Sequence, residues 1–392
     1  METYDFYAPS RVLFGPGQVS RLHELKMPGK KALLVTSNGK STILNGSLDK
    51  VQRELEMAGC TSVLFNQISA NPLKETVELG AKTIRENGCD FVVALGGGSV
   101  MDAGKVIAML APQPSDDLWD YATGATGKNI TPPNPVLPWI AITTSAGTGS
   151  EVDSGGVITN TATNEKINVG RMPSMMALYS IVDPELMLTV PPVFTAYQGF
   201  DALFHNIEGY LSNKHNIMAD MIQLTAVENI ATYLPRCVKD GKDLEARTHV
   251  AFANTLGGYS MDLTGCISEH SLEHALSAYH NKLPHGAGLI MLSLSYFSYW
   301  IDRGVCPERF VRLAKALGKA DAEKPADFLT ALGDLQKACG VADLKMSDFG
   351  IRKEEAHTLA ENAKATMGRL FLNDPDDLSV DDACAIIEKA YR

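Results

Sequence analysis

The chain has 392 residues, of which 45% are hydrophobic, and this length predicts two or three domains with sizeable buried cores. Its formal net charge of −11 disfavours nucleic acid and anionic membrane surfaces as partners. The seven cysteines form no CxxC pair, and no signal peptide or long apolar span is present, so a cytoplasmic protein with reduced thiols is expected.

Up to about residue 190, short β-branched segments alternate with helical ones. Strands are predicted at residues 31–36, 62–65, 91–95 and 138–143, and helices at 43–58, 73–87 and 99–111. This alternation favours parallel βαβ units. The nearly continuous apolar strands are typical of a sheet covered on both faces.

After Pro191-Pro192 the β-branched segments largely disappear. Helices are predicted at residues 196–213, 216–234, 243–263 and 268–279, with more towards the C-terminus. The sequence therefore predicts an α/β domain over residues 1–190, followed by an all-helical domain over residues 191–392.

Two loops rich in small residues follow predicted strands. Gly97, Gly98 and Ser99 precede a helix, where glycines allow close approach of a pyrophosphate and the helix N-terminus attracts its charge. The segment TTSAGTGSE (residues 143–151) follows the next strand. Because ligands of parallel sheets bind at the carboxyl ends of strands, the two loops together indicate a dinucleotide site. Either loop alone would also fit an ordinary βα turn.

The turn after the first predicted strand bears on which dinucleotide binds. An acid there would hold the ribose 2′-hydroxyl of NAD, whereas small polar and basic residues accommodate the 2′-phosphate of NADP. This turn contains no acid; its residues are Ser37, Asn38, Gly39, Lys40 and Ser41. NADP(H) is therefore favoured over NAD(H), although a solvated polar turn would have the same composition.

Two pairs of potential metal ligands have helical spacing. His270 and His274 are four residues apart, as are Asp201 and His205, so each pair lies on one helical face. An aspartate with two or three imidazoles is a usual set for a divalent first-row metal with an open coordination position. A lone histidine is more often structural, but these pairs together with His285 predict a metal centre. No cysteine belongs to the set, which disfavours a purely structural zinc site.

Five segments occur along the chain in a characteristic order and spacing: FYAPSRVLFGPG, GGGSVMD, TTSAGTGSE, DALFHNIEG and HSLEHALSAYHNKLPHG. Through these segments the chain resembles the iron-containing (group III) alcohol dehydrogenases over essentially its whole length. The resemblance implies a Rossmann-like dinucleotide-binding domain followed by an all-helical metal-binding domain. It also implies hydride transfer between NAD(P)(H) and a primary alcohol or aldehyde, and a homo-oligomer of two or more chains.

The resemblance further assigns roles by position. It implies that Fe²⁺, or alternatively Zn²⁺ or Mn²⁺, is bound by Asp201, His205, His270 and His285. It implies that His274 acts on the substrate rather than on the metal. The cofactor contacts that it implies, besides the turn of residues 37–41, are Asn71, Gly97, Gly98, Ser99, Asp102, Thr143, Thr144, Thr148 and Lys166.

Three alternative functions share the same two-domain plan. A lyase resembling dehydroquinate synthases would need clustered Lys and Arg near the metal, and residues 196–290 contain few. An enzyme resembling zinc-dependent glycerol dehydrogenases would differ in its metal ligands. A metal or nucleotide sensor could keep the fold without turnover. Alcohol-dependent reduction of NADP would distinguish these possibilities.

Overall fold

The computed structural model describes residues 3–392, which form two compact units. The α/β unit comprises Tyr7–Ser145 and Ser150–Thr189. The helical unit comprises Val190–Arg392, the short segment Ala146–Gly149 and the N-terminal residues up to Phe6. Four residues of the TTSAGTGSE loop therefore belong to the helical unit, although the loop follows a strand of the α/β unit.

Most strands of the α/β unit form one parallel sheet. The strands are β1 (Arg11–Phe14), β2 (Lys31–Ser37), β3 (Thr61–Ile68), β4 (Phe91–Gly96), β5 (Trp139–Thr143), β6 (Gly155–Asn160), β7 (Glu165–Gly170) and β8 (Tyr179–Val182). The six-stranded sheet has the order β1-β8-β5-β4-β2-β3, with every pair parallel. The strands β6 and β7 pair separately as an antiparallel hairpin.

The helices of the α/β unit connect consecutive strands of the sheet. They are α1 (Ser41–Leu44), α2 (Ser47–Met57), α3 (Lys74–Asn87) and α4 (Gly98–Leu110). All six residues of β4 are buried, as are the residues of α4 from Val100 to Leu110 except Asp102. A strand covered on both faces needs such a continuous apolar sequence, so this segment forms the centre of the unit.

The order of the strands identifies where this sheet can bind a ligand. The strand β2 lies between β3 and β4. After β2, the chain therefore adds β3 on one side of it and then β4 on the other side. In open parallel sheets, ligands bind at the carboxyl ends of the strands where the order reverses in this way. The loops that follow β2 and β4 therefore border the expected binding crevice.

The helical unit is built around a long, almost completely buried helix. Its helices are α5 (Pro192–Leu211), α6 (Ile217–Lys239), α7 (Leu244–Leu263), α8 (Ser268–Tyr279), α9 (His285–Asp302), α10 (Pro307–Ala316), α11 (Ala326–Ala338), α12 (Ala356–Phe371) and α13 (Val380–Ala390). Helix α5 packs against α6, α7 and α9, and nearly all of its residues from Thr195 onwards are buried. Polar side chains on α5 are consequently held inside the protein.

The parallel sheet and the helical second half, both predicted from the sequence, are confirmed. The single helix predicted at residues 43–58 is wrong: Gly46 has a positive φ of 76°, and α1 and α2 lie on either side of it. The strands β1, β6, β7 and β8 were not predicted. Among residues 3–392, no helix is long and apolar enough to cross a membrane.

Candidate functional site

Three helices bring the predicted metal ligands into one buried cluster. Asp201 and His205 lie one turn apart on α5, His270 and His274 lie one turn apart on α8, and His285 begins α9. The first four are buried, and the side chain of His285 is 20% exposed. The spacing of four residues therefore places both pairs on faces that point into the helical unit.

The distances around Asp201 fit the coordination of a divalent ion. Asp201 Oδ1 lies 3.5 Å from His270 Nε2 and 3.4 Å from His285 Nε2. Two ligands bound at about 2.1 Å from a tetrahedral ion are about 3.4 Å apart. Asp201 Oδ1 and His270 Nε2 are also buried without a hydrogen-bond partner. Buried polar atoms are rarely left unsatisfied, so these atoms suit metal ligands.

Buried glutamates orient two of the imidazoles. His270 donates from Nδ1 to Glu208, and His285 donates from Nδ1 to Glu273; both glutamates are fully buried. A carboxylate on Nδ1 fixes the tautomer and leaves the Nε2 lone pair for a metal ion. In each case it is Nε2 that faces Asp201.

His205 has a different partner and belongs to an overlapping group. Its Nδ1 lies 3.3 Å from the carbonyl oxygen of Gly147 and 3.6 Å from Asp201 Oδ1, and its ring stacks on that of His270. Ligand atoms of Asp201, His270 and His285 lie within 4.8 Å of one another. A second group with the same spacing consists of His205, His270 and Cys266.

The electrostatics of the cluster favour a bound cation. Burial opposes ionisation of Asp201, but the neighbouring imidazoles outweigh it and hold its pKa well below the usual range. Burial lowers the pKa of His205 to about 3, so this imidazole is neutral near pH 7. Burial opposes protonation of His270 as well, yet Cys266 and Glu208 raise its pKa well above the ordinary value. The ionised Asp201 and the neutral His205 suit a metal ion, and the raised pKa of His270 shows the same attraction for positive charge, here for a proton that a bound metal ion would displace.

His274 lies at the edge of the cluster. Its ring centre is 5.4 Å from that of His285 and 6.3 Å from that of His270. A ligand atom of His274 lies within 4.8 Å of ligand atoms of Glu273 and His285, but His274 is not part of the group around Asp201. This position suits a group that acts beside the metal ligands rather than among them.

The two loops rich in small residues meet at the carboxyl edge of the sheet. The amide of Thr144 donates to the carbonyl of Gly96 at 2.8 Å. A Cβ atom at Gly97 would lie 2.9 Å from Ser145 Oγ, so a larger residue at this position would have to displace the side chain of Ser145. Gly97 caps the N-terminus of α4, and Gly98 and Ser99 remain partly exposed. The start of α4 is therefore accessible from outside, as binding of a pyrophosphate at a helix N-terminus would require.

The other predicted cofactor residues differ in exposure, and they do not all belong to the same unit. The turn Asn38–Ser41 is exposed at the end of β2, and Ser37 is half-buried. Asn71 is buried with a positive φ of 51°, and Lys166 is buried on β7. Thr143 donates its hydroxyl to the carbonyl of Ser145, while Thr144 is partly exposed. Thr148, also partly exposed, belongs to the helical unit.

Asp102 links α4 to the segment that precedes the hairpin. Its carboxylate accepts hydrogen bonds from Ser150 Oγ at 2.5 Å and from the amide of Val157 at 2.9 Å. Burial raises its pKa to about 6. Beside it, the fully buried Lys105 donates to the carbonyls of Ser150 and Gly155 and to Asp153. The predicted cofactor residue Asp102 thus also has a structural role.

Sequence reasoning missed four residues of these sites: Glu208, Glu273, Cys266 and Lys105. Glu208 and Glu273 follow His205 and His270 by three residues, a spacing that places each on the same helical face as the histidine. Cys266 precedes His270 by four residues, but α8 begins only at Ser268, so helical periodicity does not extend to it.

Removing the charge of Glu208 tests its role behind His270. We expect Glu208→Gln to lower metal affinity roughly 10- to 100-fold, because a neutral amide makes the imidazole a weaker ligand. Glu54→Gln is the matched control, since Glu54 is also a buried glutamate that accepts from Nδ1 of a histidine, His23, but both residues belong to the α/β unit. Competition with a chelator measures both affinities. Equal affinities of the two variants would show that Glu208 does not support the site.

The two units correspond to the two parts of one protein family. The profile of iron-containing alcohol dehydrogenases matches residues 9–184, and the C-terminal profile of that family matches residues 195–391. The chain is 32% identical to a 1,3-propanediol dehydrogenase of Klebsiella pneumoniae, with 99% of each chain covered. It is also 32% identical to a probable NADH-dependent butanol dehydrogenase of Bacillus subtilis, covering 97% of this chain and 99% of the relative.

Solved structures agree with this assignment. The archaeal halo-thermophilic alcohol dehydrogenase from a Red Sea brine pool superimposes with a TM-score of 0.93 and 33% identity, covering 100% of this chain and 99% of that one. A crystal structure of 1,3-propanediol oxidoreductase gives a TM-score of 0.88 at 30% identity, with complete coverage of both chains. The family predicted from the motifs is therefore confirmed. The chain belongs to the iron-containing alcohol dehydrogenase family and is a metal-dependent alcohol dehydrogenase.

Proposed function

We propose that this dehydrogenase interconverts primary alcohols and aldehydes with NADP(H) as the preferred cofactor and Fe²⁺ as its metal ion. The ligands of the ion are Asp201, His205, His270 and His285. The observation that carries this proposal is the group of ligand atoms around Asp201 Oδ1, where Nε2 of His270 lies at 3.5 Å and Nε2 of His285 at 3.4 Å, as a divalent ion requires. An aspartate with imidazoles accepts Fe²⁺ and leaves a coordination position for a substrate oxygen.

The residues of the helical unit have two roles in the reaction, which are to hold the metal ion and to transfer the proton. A bound divalent ion supplies Lewis acidity, which lowers the pKa of an alcohol and polarises an aldehyde carbonyl. Glu208 and Glu273 hold the imidazoles of His270 and His285 with Nε2 directed at one point, so that no reorganisation is needed during turnover. His274 accepts the alcohol proton during oxidation and returns it during reduction, a role that imidazole side chains commonly have in general acid–base catalysis.

The residues of the α/β unit bind the dinucleotide. The amides at the start of α4 and the partly exposed Gly98 and Ser99 receive the pyrophosphate. Thr144 lies beside this loop through its hydrogen bond to Gly96 and is available to the nicotinamide half. With the dinucleotide fixed in one orientation, hydride transfer avoids most of the entropic cost of bringing two reactants together.

A panel of substrates tests the proposed activity. Metal-free protein is loaded separately with Fe²⁺, Zn²⁺ and Mn²⁺ and assayed with short and long primary alcohols, their aldehydes, secondary alcohols and glycerol, using both cofactors. We expect the highest kcat/KM with Fe²⁺, NADP(H) and a primary alcohol or its aldehyde. A preference for glycerol, or no turnover with any metal although dinucleotide and metal bind, would contradict the proposal.

The preference for NADP(H) rests on the turn after β2. Ser37, Asn38 and Ser41 offer hydroxyl and amide donors, and the exposed Lys40 offers a positive charge. A charge-assisted contact with the 2′-phosphate contributes roughly 1.5–3 kcal/mol, or about one to two orders of magnitude in affinity. We expect a lower KM for NADPH than for NADH, and we expect Ser37→Asp to reverse this order because the carboxylate repels the phosphate.

A second added charge controls for a general electrostatic effect. Thr61→Asp introduces the same charge at an exposed residue at the start of β3, at the amino edge of the sheet. This variant is expected to keep the cofactor order of the natural protein. Steady-state kinetics give the KM values of each protein for both cofactors. Equal KM values for NADPH and NADH in the natural protein, or unchanged KM values in Ser37→Asp, would show that this turn does not face the ribose.

A further inference from the structure

The thiol of Cys266 neighbours the metal cluster but is not one of the four proposed ligands. Cys266 Sγ and one ring nitrogen each of His205 and His270 lie within 4.8 Å of one another, and all three residues are buried. Among residues 3–392, Cys266 is the only one of the seven cysteines that lies this close to two other potential metal ligands. A buried cysteine usually packs as a small apolar side chain, whereas this one lies beside two imidazoles.

The backbone around Cys266 is held in place from both sides. Asn373 donates its side-chain amide to the carbonyl of Cys266 at 2.9 Å. The next amide, that of Ile267, donates to Glu208 at 2.9 Å, and Glu208 also accepts from His270. The thiol and the imidazole of His270 are thus positioned by one hydrogen-bonded network. Preorganised ligands of this kind bind metal ions without a large cost in conformational entropy.

We propose that Cys266 provides a sulfur ligand for thiophilic divalent ions such as Zn²⁺ and Cd²⁺, which it binds together with His205 and His270. The inference rests on the proposed metal-binding role of the two histidines. The buried Nε2 atom of His270 has no hydrogen-bond partner and is thus available to a metal ion. Binding replaces the proton of the thiol, which passes to solvent, and involves no change in oxidation state.

The two overlapping ligand groups differ in chemical softness. The group of Asp201, His270 and His285 offers oxygen and nitrogen, while the group of Cys266, His205 and His270 offers sulfur and nitrogen. Carboxylate and imidazole suit Fe²⁺ and Mn²⁺, whereas thiolate selects zinc and softer ions. Because both groups contain His270, a thiophilic ion bound by Cys266 competes with Fe²⁺. The cluster therefore binds different metal ions at different sets of ligands, and not only with different affinities.

X-ray absorption of the metal-loaded full-length protein tests this assignment without relying on activity. With one equivalent of Zn²⁺ added to metal-free protein, we expect a sulfur scatterer at about 2.3 Å from the ion. The same protein loaded with Mn²⁺ is expected to show only nitrogen and oxygen neighbours. Cys266→Ser should remove the sulfur signal and lower the affinity for Zn²⁺ by about tenfold or more, with unchanged affinity for Mn²⁺.

The matched control is Cys384→Ser, which alters a half-buried thiol on α13. It is expected to keep both the sulfur signal and the Zn²⁺ affinity. Zinc surrounded only by nitrogen and oxygen in the unaltered protein would overturn the role of Cys266 and leave the proposed iron site intact. Failure of the protein to bind either Zn²⁺ or Mn²⁺ would overturn both. If Cys266→Ser does not fold, the spectrum of the unaltered protein still decides.

Discussion

Replacing Asp201 by alanine is expected to abolish metal binding and to lower kcat/KM for alcohol oxidation at least roughly a thousandfold, or by about 4 kcal/mol. Asp201 Oδ1 lies 3.4–3.6 Å from nitrogens of three imidazoles and is the carboxylate of the ligand group. Without it, the cluster loses its anionic ligand, and a divalent ion must enter a buried site with less compensating charge. Elemental analysis and steady-state kinetics measure the two effects.

Two further variants separate loss of the ligand from loss of structure. Asp201→Asn keeps the shape of the side chain but not its charge, so it is expected to bind metal more weakly than the natural protein. Asp334→Ala removes an exposed carboxylate on α11 that pairs with Lys337 at the surface, and it should change neither metal content nor rate. Full metal occupancy in Asp201→Ala would contradict the proposed ligand set.

Replacing His274 by alanine is expected to retain the metal ion but lower kcat about 10²- to 10⁴-fold, the usual contribution of general acid–base catalysis. The ring of His274 lies beside that of His285 but outside the group around Asp201. Its loss therefore removes a proton acceptor without removing a ligand. Added imidazole should restore part of the rate, which a purely structural defect would not allow.

His280→Ala is the control for this experiment. His280 directly follows α8, pairs with Glu355 at 3.1 Å and is in none of the groups of potential metal ligands among the described residues, so its replacement should leave metal content and kcat unchanged. Loss of the metal ion in His274→Ala would instead make His274 a ligand through its contact with Glu273 and His285. In that case the division between ligands and proton-transfer residue proposed above would be wrong.

Local sequence patterns predicted much of the fold and the cluster. The helical spacing of Asp201 with His205, and of His270 with His274, is a local property, and it brought these residues to inward faces of α5 and α8. The buried strand β4 was predicted because a short, continuous apolar run in an alternating α/β sequence is typical of a strand covered on both faces. Such features require no knowledge of distant contacts.

The parts that were missed depend on tertiary contacts. Glu208 and Glu273 would ordinarily be interpreted as solvated residues, and their role becomes evident only when α5, α8 and α9 pack together. The segment Ala146–Gly149 joins the helical unit through contacts such as that of Gly147 with His205, which no local pattern predicts. The hairpin of β6 and β7 is short and rich in small and polar residues, so its strand pattern is weak.

Anaerobic titration of metal-free protein with Fe²⁺ tests most directly whether the cluster around Asp201 holds the ion on which alcohol oxidation depends. The rate of alcohol-dependent NADP reduction is followed as metal is added to the natural protein and to Asp201→Ala. The expected result is a linear rise that ends at one ion per chain in the natural protein, with no rise in the variant. Full activity without added or residual metal, or an equal rise in Asp201→Ala, would contradict a metal-dependent reaction at this site.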